Sequence, residues 1–236
     1  MELATLTPGQ LTIGASDFDA RPMTYVEDGQ RWGYEPDVAR AVCAKLGLEP
    51  VWLNLPMAEF YSTLQAKTCD LVWFNQAVTP ERQKHSVFTR PYGLFNEAII
   101  VRADDGIESA ADLAGRKMAG LADSTNVELG QQFEGVELIP FPGTDKVLQE
   151  MLAALRTGEV DAVVDDELVL VTAAEADPSL RLAITVETSH PFAIALRPDS
   201  PDLLTALNQT LDQLEADGTL QQLWEKWIPW RPFPFV

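Results

Sequence analysis

The chain has 236 residues, 46% of them apolar and 22% charged, which suits one large or two small globular domains. Thirty-six Asp and Glu against 17 Lys and Arg leave a formal charge of −19. Nucleic-acid affinity rests on cationic neutralisation of phosphates, so that class is excluded, and an anionic membrane face is disfavoured for the same reason.

No apolar run approaches the roughly 18 residues that a transmembrane helix needs. Met1-Glu2-Leu3-Ala4 lacks the basic and apolar segments of a secretory leader. Either the protein is cytoplasmic or a leader has been removed. Cys43 and Cys69 are too few for a disulfide scaffold. A single bridge between them stays open in an exported protein, because sequence does not give their Cα separation. Without a Cys-x-x-Cys, and with His85 and His190 far apart, no metal site is expected.

In chain order, Leu11-Thr12-Ile13-Gly14 reads as a short buried strand. It runs into a turn-rich stretch at 15–23, where Asp17, Asp19 and Pro22 break regular structure. A helix opens at Gly33-Tyr34-Glu35-Pro36-Asp37, repeats Val38, Ala41, Val42 and Leu46 at helical spacing, and stops at Gly47. A strand at 51–54, a helix at 57–67 and a strand at 70–74 follow. This alternation predicts an α/β fold with a parallel sheet.

Further strands are expected at 97–101, 117–121, 136–139, 160–164 and 192–196, with the last of these closing the set. Short helical structure is expected at 110–113, and a helix N-cap at Asp123-Ser124-Thr125. Longer helices are expected at 146–155, 202–218 and 220–227, before the aromatic, Pro-rich tail at 230–236. One internal echo stands out. Leu64-Gln65-Ala66-Lys67-Thr68-Cys69-Asp70-Leu71-Val72 resembles Leu155-Arg156-Thr157-Gly158-Glu159-Val160-Asp161-Ala162-Val163. Each is helix, tight turn, Asp, buried strand, and the two strands lead to Asn75 and Asp166. Open α/β sheets bind ligands beyond the carboxyl ends of their strands.

The ordered set Gly33-Tyr34-Glu35-Pro36-Asp37-Val38-Ala39, Cys69-Asp70-Leu71-Val72, Thr79-Pro80-Glu81-Arg82, Gly158-Glu159-Val160-Asp161 and Asp217-Gly218-Thr219-Leu220 with Trp224 and Trp227 resembles the family 3 extracellular solute-binding proteins of bacterial ABC importers. The resemblance covers nearly the whole chain. It implies a two-lobed, type II periplasmic-binding-protein clamshell. One lobe takes 1–93 plus 191–236, the other 94–190, with hinge strands near 92–95 and 188–192. It further implies a periplasmic or extracellular monomer that holds a small zwitterion, needs no cofactor and docks on a transporter permease.

Carried over residue by residue, Arg82 would grip the ligand carboxylate, since a guanidinium presents a planar fork to that group. Asp166 would take the ligand ammonium. Strand alternation sends Asp165 to the opposite face. Asn75, Ala77 and Thr79 belong to the same binding loop as Arg82, and Ala77 lacks the hydroxyl the family carries there. Ser124 and Thr125 would present backbone N–H groups and a hydroxyl at a helix start. Asp123 there would repel a carboxylate unless it turned away to cap the helix. The ligand-stacking aromatic positions fall at Ala20 and Met57, so Phe18, Phe60, Trp73 or Phe74 would have to substitute. Asp17 falls where relatives of cationic specificity place a carboxylate, against the alternative of a local turn role.

Two other readings stay open. Cyclohexadienyl and arogenate dehydratases resemble the same family, with a proton-donating Glu at the position held here by Val169. A ligand-sensing module of a membrane receptor would look the same.

Overall fold

The computed structural model describes residues 3–235. Met1, Glu2 and Val236, at the ends of the opening segment and aromatic tail discussed above, lie outside the described residues.

The first strand, β1 (Gln10–Ala15), is followed by a hairpin of β2 (Tyr25–Glu27) and β3 (Gln30–Trp32). That hairpin was not anticipated, although its Asp28-Gly29 turn is a recognised hairpin signal. Both turn residues adopt the positive φ such a turn requires, 50° and 73°. Helix α1 (Tyr34–Leu46) begins at Gly33 and ends at Gly47, whose left-handed backbone donates its N–H to the Cys43 carbonyl. Val38, Ala39, Val42 and Cys43 form its buried face.

Next come β4 (Glu49–Asn54), a 3-10 turn at Met57–Glu59, α2 (Phe60–Gln65) and β5 (Leu71–Val72). The continuous helix expected at 57–67 is thus divided. The strand expected at 70–74 is shorter because the chain turns out at Asn75, where φ is 42°. Helix α3 (Pro80–Gln83) and β6 (Val87–Phe88) close this half of the chain.

The middle of the chain supplies β7 (Gly93–Arg102), a 3-10 turn at Ala110–Leu113, β8 (Lys117–Leu121), α4 (Thr125–Gly130), β9 (Glu137–Phe141), α5 (Val147–Thr157), β10 (Ala162–Asp166), α6 (Glu167–Ala176) and β11 (Leu180–Phe192). Helix α6 and most of the 13-residue β11 lie in a stretch, 167–191, to which the sequence pattern assigns no element. The acidic run at 165–167 ends β10 and opens α6, with Asp166 the residue preceding the helix. The strand expected at 192–196 divides into the end of β11 and β12 (Ala195–Leu196). Helices α7 (Pro201–Ala216) and α8 (Thr219–Trp227) complete the order.

Two compact units result. Unit 1 comprises Met1–Asp17, Met23–Leu94 and His190–Val236, and unit 2 comprises Phe18–Pro22 and Phe95–Ser189. The sheet of unit 1 runs β4-β1-β5-β12-β6. β1 is parallel to β4 and β5, while β12 is antiparallel to both β5 and β6. All but β12 therefore run the same way. Leu11, Ile13, Leu71, Leu207 and Leu211 are wholly buried in unit 1, each worth about 1.5–3 kcal/mol of transfer free energy.

The sheet of unit 2 runs β11-β7-β10-β8-β9, with β8 parallel to both β9 and β10. Ile99, Val101, Met118, Ala162 and Val164 form the centre of its core.

The sequence echo has a structural counterpart within each unit. Asp70 precedes β5 and accepts the N–H of Thr12 on the adjacent parallel strand at 2.7 Å. Asp161 precedes β10 and accepts the N–H of Lys117 on its adjacent parallel strand at 2.9 Å. In each case a carboxylate satisfies an N–H that the start of a parallel ladder leaves open. Cys43 and Cys69 are both buried and both free, so the disulfide left open by the sequence does not form.

Candidate functional site

In unit 1 the residues after β5 build a polar loop. Thr79 caps α3 by accepting the Arg82 N–H on its hydroxyl at 3.3 Å, and Pro80 at the first helical position fixes φ for the turn. This pins the backbone beneath the Arg82 side chain. The guanidinium Nη1 donates to the carbonyl of Ala77 at 3.0 Å. Glu81, its sequence neighbour, pairs instead with Lys84, which holds the Glu81 carboxyl below its ordinary range. Among the described residues Arg82 pairs with no carboxylate, and it is half-buried.

Ala77 is buried and bridges to Phe192, while Val78 N–H donates to the Pro191 carbonyl at 3.0 Å. Gln76 is braced by the Tyr61 hydroxyl at 2.8 Å. Asn75 N–H donates to Glu35 Oε1 at 2.6 Å. That buried glutamate, which the sequence reading did not single out, also accepts from the Tyr92 hydroxyl. Burial raises its carboxyl to about 7, against the opposing pull of the Tyr92 and Asn75 hydrogen bonds and the Arg31 charge.

Asp17 follows β1. Its backbone N–H donates to Asn54 Oδ1 at 2.9 Å, and its carboxylate pairs with Arg31. Arg31 is 5% exposed, donates also to the Ser16 carbonyl and lies 5.2 Å from the Trp52 ring centroid. Trp73 is 1% exposed and packs edge-on against Tyr92, with ring centroids 5.6 Å apart. Phe60 and Phe74 pack edge-to-face in the same core. Met57 is half-buried at the start of its 3-10 turn. Phe18, in the short segment grouped with unit 2, is buried.

In unit 2 the cap of α4 is Ser124, not Asp123. Ser124 accepts the Val127 N–H at 3.3 Å and donates to the Leu121 carbonyl at 2.6 Å. Asp123 is exposed with φ at 58°. Thr125 begins α4, and its neighbour Asn126 donates to Asp165 Oδ1 at 2.8 Å. The same oxygen accepts the Asp166 N–H at 2.8 Å. Asp165 thus lies inside and locks the backbone that delivers the half-exposed Asp166 to the strand end. Ser124, Thr125 and Asp166 are brought together through this Asn126–Asp165 link.

Glu97 faces Asp166 in the β7–β10 register and is fully buried. Burial raises both Glu97 and Asp165 to about 6; the Thr125 hydroxyl opposes the rise at Glu97, while Asp165 and Glu128 add to it. Glu97 and Asn126 are not legible in the sequence, because one meets Asp166 across strands and the other reaches Asp165 from α4, and local patterns encode neither relation.

Among solved structures, the fold matches an ancestral arginine-binding protein bound to arginine, with a TM-score of 0.84 and 28% identity, covering 93% of this chain and 98% of that one. It also matches the ancestral amino-acid-binding protein AncCDT-1, a precursor of cyclohexadienyl dehydratase, with a TM-score of 0.82 and 27% identity, covering 93% and 95%. The fold is therefore that of the type II periplasmic binding proteins. Residues 11–229 match the model of the bacterial extracellular solute-binding proteins, family 3, and the chain belongs to that family.

Two Escherichia coli K12 relatives illustrate its company. L-cystine-binding protein TcyJ is 30% identical over 86% of this chain and 76% of its own. ABC transporter arginine-binding protein 1 is 28% identical over 84% and 82%.

Proposed function

We propose that this chain captures a free α-amino acid outside the cytoplasm and delivers it, as a monomer, to an ABC permease. Arg82 would take the ligand carboxylate and Asp166 its ammonium. The observation that carries this reading is Arg82 itself. It is a half-buried guanidinium, fixed by the Ala77 carbonyl and the Thr79 cap, and without a carboxylate partner among the described residues. Thr79, Asn75 and the Ala77 carbonyl shape its surroundings. In unit 2 the start of α4 would supply backbone N–H groups and the Thr125 hydroxyl, the Ser124 hydroxyl being engaged by the Val127 N–H and the Leu121 carbonyl.

The named relatives bind arginine and cystine. Here Asp17 is engaged by Arg31, so no free carboxylate awaits a cationic side chain at that position. A neutral polar amino acid is expected to bind ahead of arginine. Capture without chemistry is favoured over dehydration because Val169, 3% exposed on α6, carries no titratable proton.

A thermal-shift screen of the twenty amino acids, with prephenate and arogenate included, tests the proposal. A ligand at 100 times its Kd adds about 2.7 kcal/mol of stability. Arg82→Ala would leave a bound carboxylate unpaired, costing roughly 2–5 kcal/mol of binding. Near-normal affinity in that variant overturns the site. Turnover of prephenate or arogenate overturns the binding-protein reading.

A further inference from the structure

We infer that Glu35 is a positioning residue of the ligand site, its carboxylate holding the 75–82 loop in the shape that presents Arg82. This rests on the proposed role of Arg82. The geometry is specific. Glu35 lies in the first turn of α1, is 1% exposed, and receives two donors on one oxygen, Oε1. One donor is the N–H of Asn75, whose left-handed backbone is rare for a residue with a side chain. The other is the hydroxyl of Tyr92, in the segment that enters β7. The second carboxyl oxygen, Oε2, is buried with no hydrogen-bond partner among the described residues.

Tyr34 tightens the arrangement by donating its hydroxyl to the Tyr92 carbonyl at 2.7 Å. Beyond Asn75 the loop is tied at each step. Gln76 carbonyl accepts from Ala193 N–H at 3.1 Å, Val78 N–H donates to Pro191, and Ala77 carbonyl holds Arg82. Asn75 thus stands two residues before the carbonyl that orients the guanidinium, in one continuous hydrogen-bonded loop.

A purely structural glutamate would need only its shape. Glu35 instead sits where its charge counts. The first turn of a helix favours an anion, and Arg31 of β3 is the cation that acts on it. The other titratable groups facing it are the hydroxyls of Tyr34 and Tyr92, both held neutral by burial and by the carboxylate itself. Burial places the Glu35 carboxyl at about 7, so the ionised acceptor is gained and lost in the neutral range. Protonation weakens Oε1 as an acceptor for Asn75. Ligand affinity therefore falls as the medium becomes acidic.

The test compares the full chain, Glu35→Gln and Arg82→Ala. Gln retains the accepting oxygen and the shape but removes the charge. The Asn75 amide resonance is followed by NMR across neutral pH. Dissociation constants are measured by calorimetry with the amino acid that gives the largest shift in the screen. The Asn75 amide should titrate near neutral pH in the wild type and stay constant in Glu35→Gln. The ratio of the variant's Kd to the wild type's should be near one at about pH 5.5 and rise to roughly five- to tenfold at about pH 8.5. Taking this ratio cancels the titration of Glu97 and Asp165. A flat ratio overturns the inference, and so does a wild-type Asn75 amide that does not titrate, a readout that needs no folded variant. Arg82→Ala separates the two levels. If it binds normally, the site assignment fails. If it abolishes binding while the Glu35→Gln ratio stays flat, only the positioning role fails.

Discussion

Arg82 and Glu81 are adjacent and opposite in charge, yet they do not pair. Glu81 reaches forward to Lys84, one turn along, and leaves the guanidinium to the Ala77 carbonyl. An exposed pair of that kind contributes little stability, so its consequence is to free Arg82 from a local anion. The cysteines are also decided at this scale. Burial pushes Cys43 up to about 12 and Cys69 up to about 11. Thiolate is the reactive form. Alkylation at neutral pH should therefore leave both unmodified in the folded protein and label both after unfolding without reductant. Mass spectrometry reads the outcome, and a requirement for reductant would contradict the free thiols.

At the scale of elements, the repeated Asp-before-strand device shows how a short motif becomes architecture. Asp70 and Asp161 each close the start of a parallel ladder in their own unit. The motif was visible in the sequence because both partners of the echo keep the helix, turn and Asp in order. The start of β7 has a tighter requirement. A Cβ on Gly93 would lie 2.0 Å from Phe192 Cζ, and Phe192 is itself wholly buried against Tyr92, with ring centroids 4.8 Å apart. Gly93→Ala should cost roughly 1–3 kcal/mol by overpacking, measured as a lower urea midpoint with an unchanged slope. An unchanged midpoint would show that Phe192 moves aside freely.

For the whole molecule, the buried carboxyls set an acid-leaning stability profile. Glu35 is raised to about 7 and Glu97 and Asp165 to about 6, all by burial. A carboxyl raised on folding stabilises the native state fully below its ordinary value and loses that contribution as pH rises through the folded value. Asp177 and Asp217 work the other way. The Ser179 hydroxyl and Arg156 lower the first to about 2; Lys45 and Thr219 do the same for the second. Their contribution is present above the ordinary Asp value and is lost only in strong acid. The melting temperature should therefore be higher at about pH 5 than at about pH 8, by several degrees for each kcal/mol gained. Glu35→Gln should flatten part of this rise. A melting temperature that climbs steadily toward pH 8 would contradict the three raised carboxyls.

By itself the sequence determined the α/β class, the limits of α1 at Gly33 and Gly47, strand β8, the Ser124 cap region and the family. Each of these is written in local chemistry: helical spacing of apolar residues, a glycine that accepts positive φ, a hydroxyl before a helix, or an ordered set of short motifs. Only the tertiary structure decided that Arg82 has no acidic partner among the described residues while Asp17 has Arg31. It also decided that Asp165 turns inward to lock Asp166, and that Glu35, read as one residue of a helix start, clamps the Asn75 loop. The physical reason is common to all of these. Burial and hydrogen bonding join residues far apart in the chain, as between Glu35 and Asn75 or Asn126 and Asp165, and the worth of a charge depends on what folding places against it.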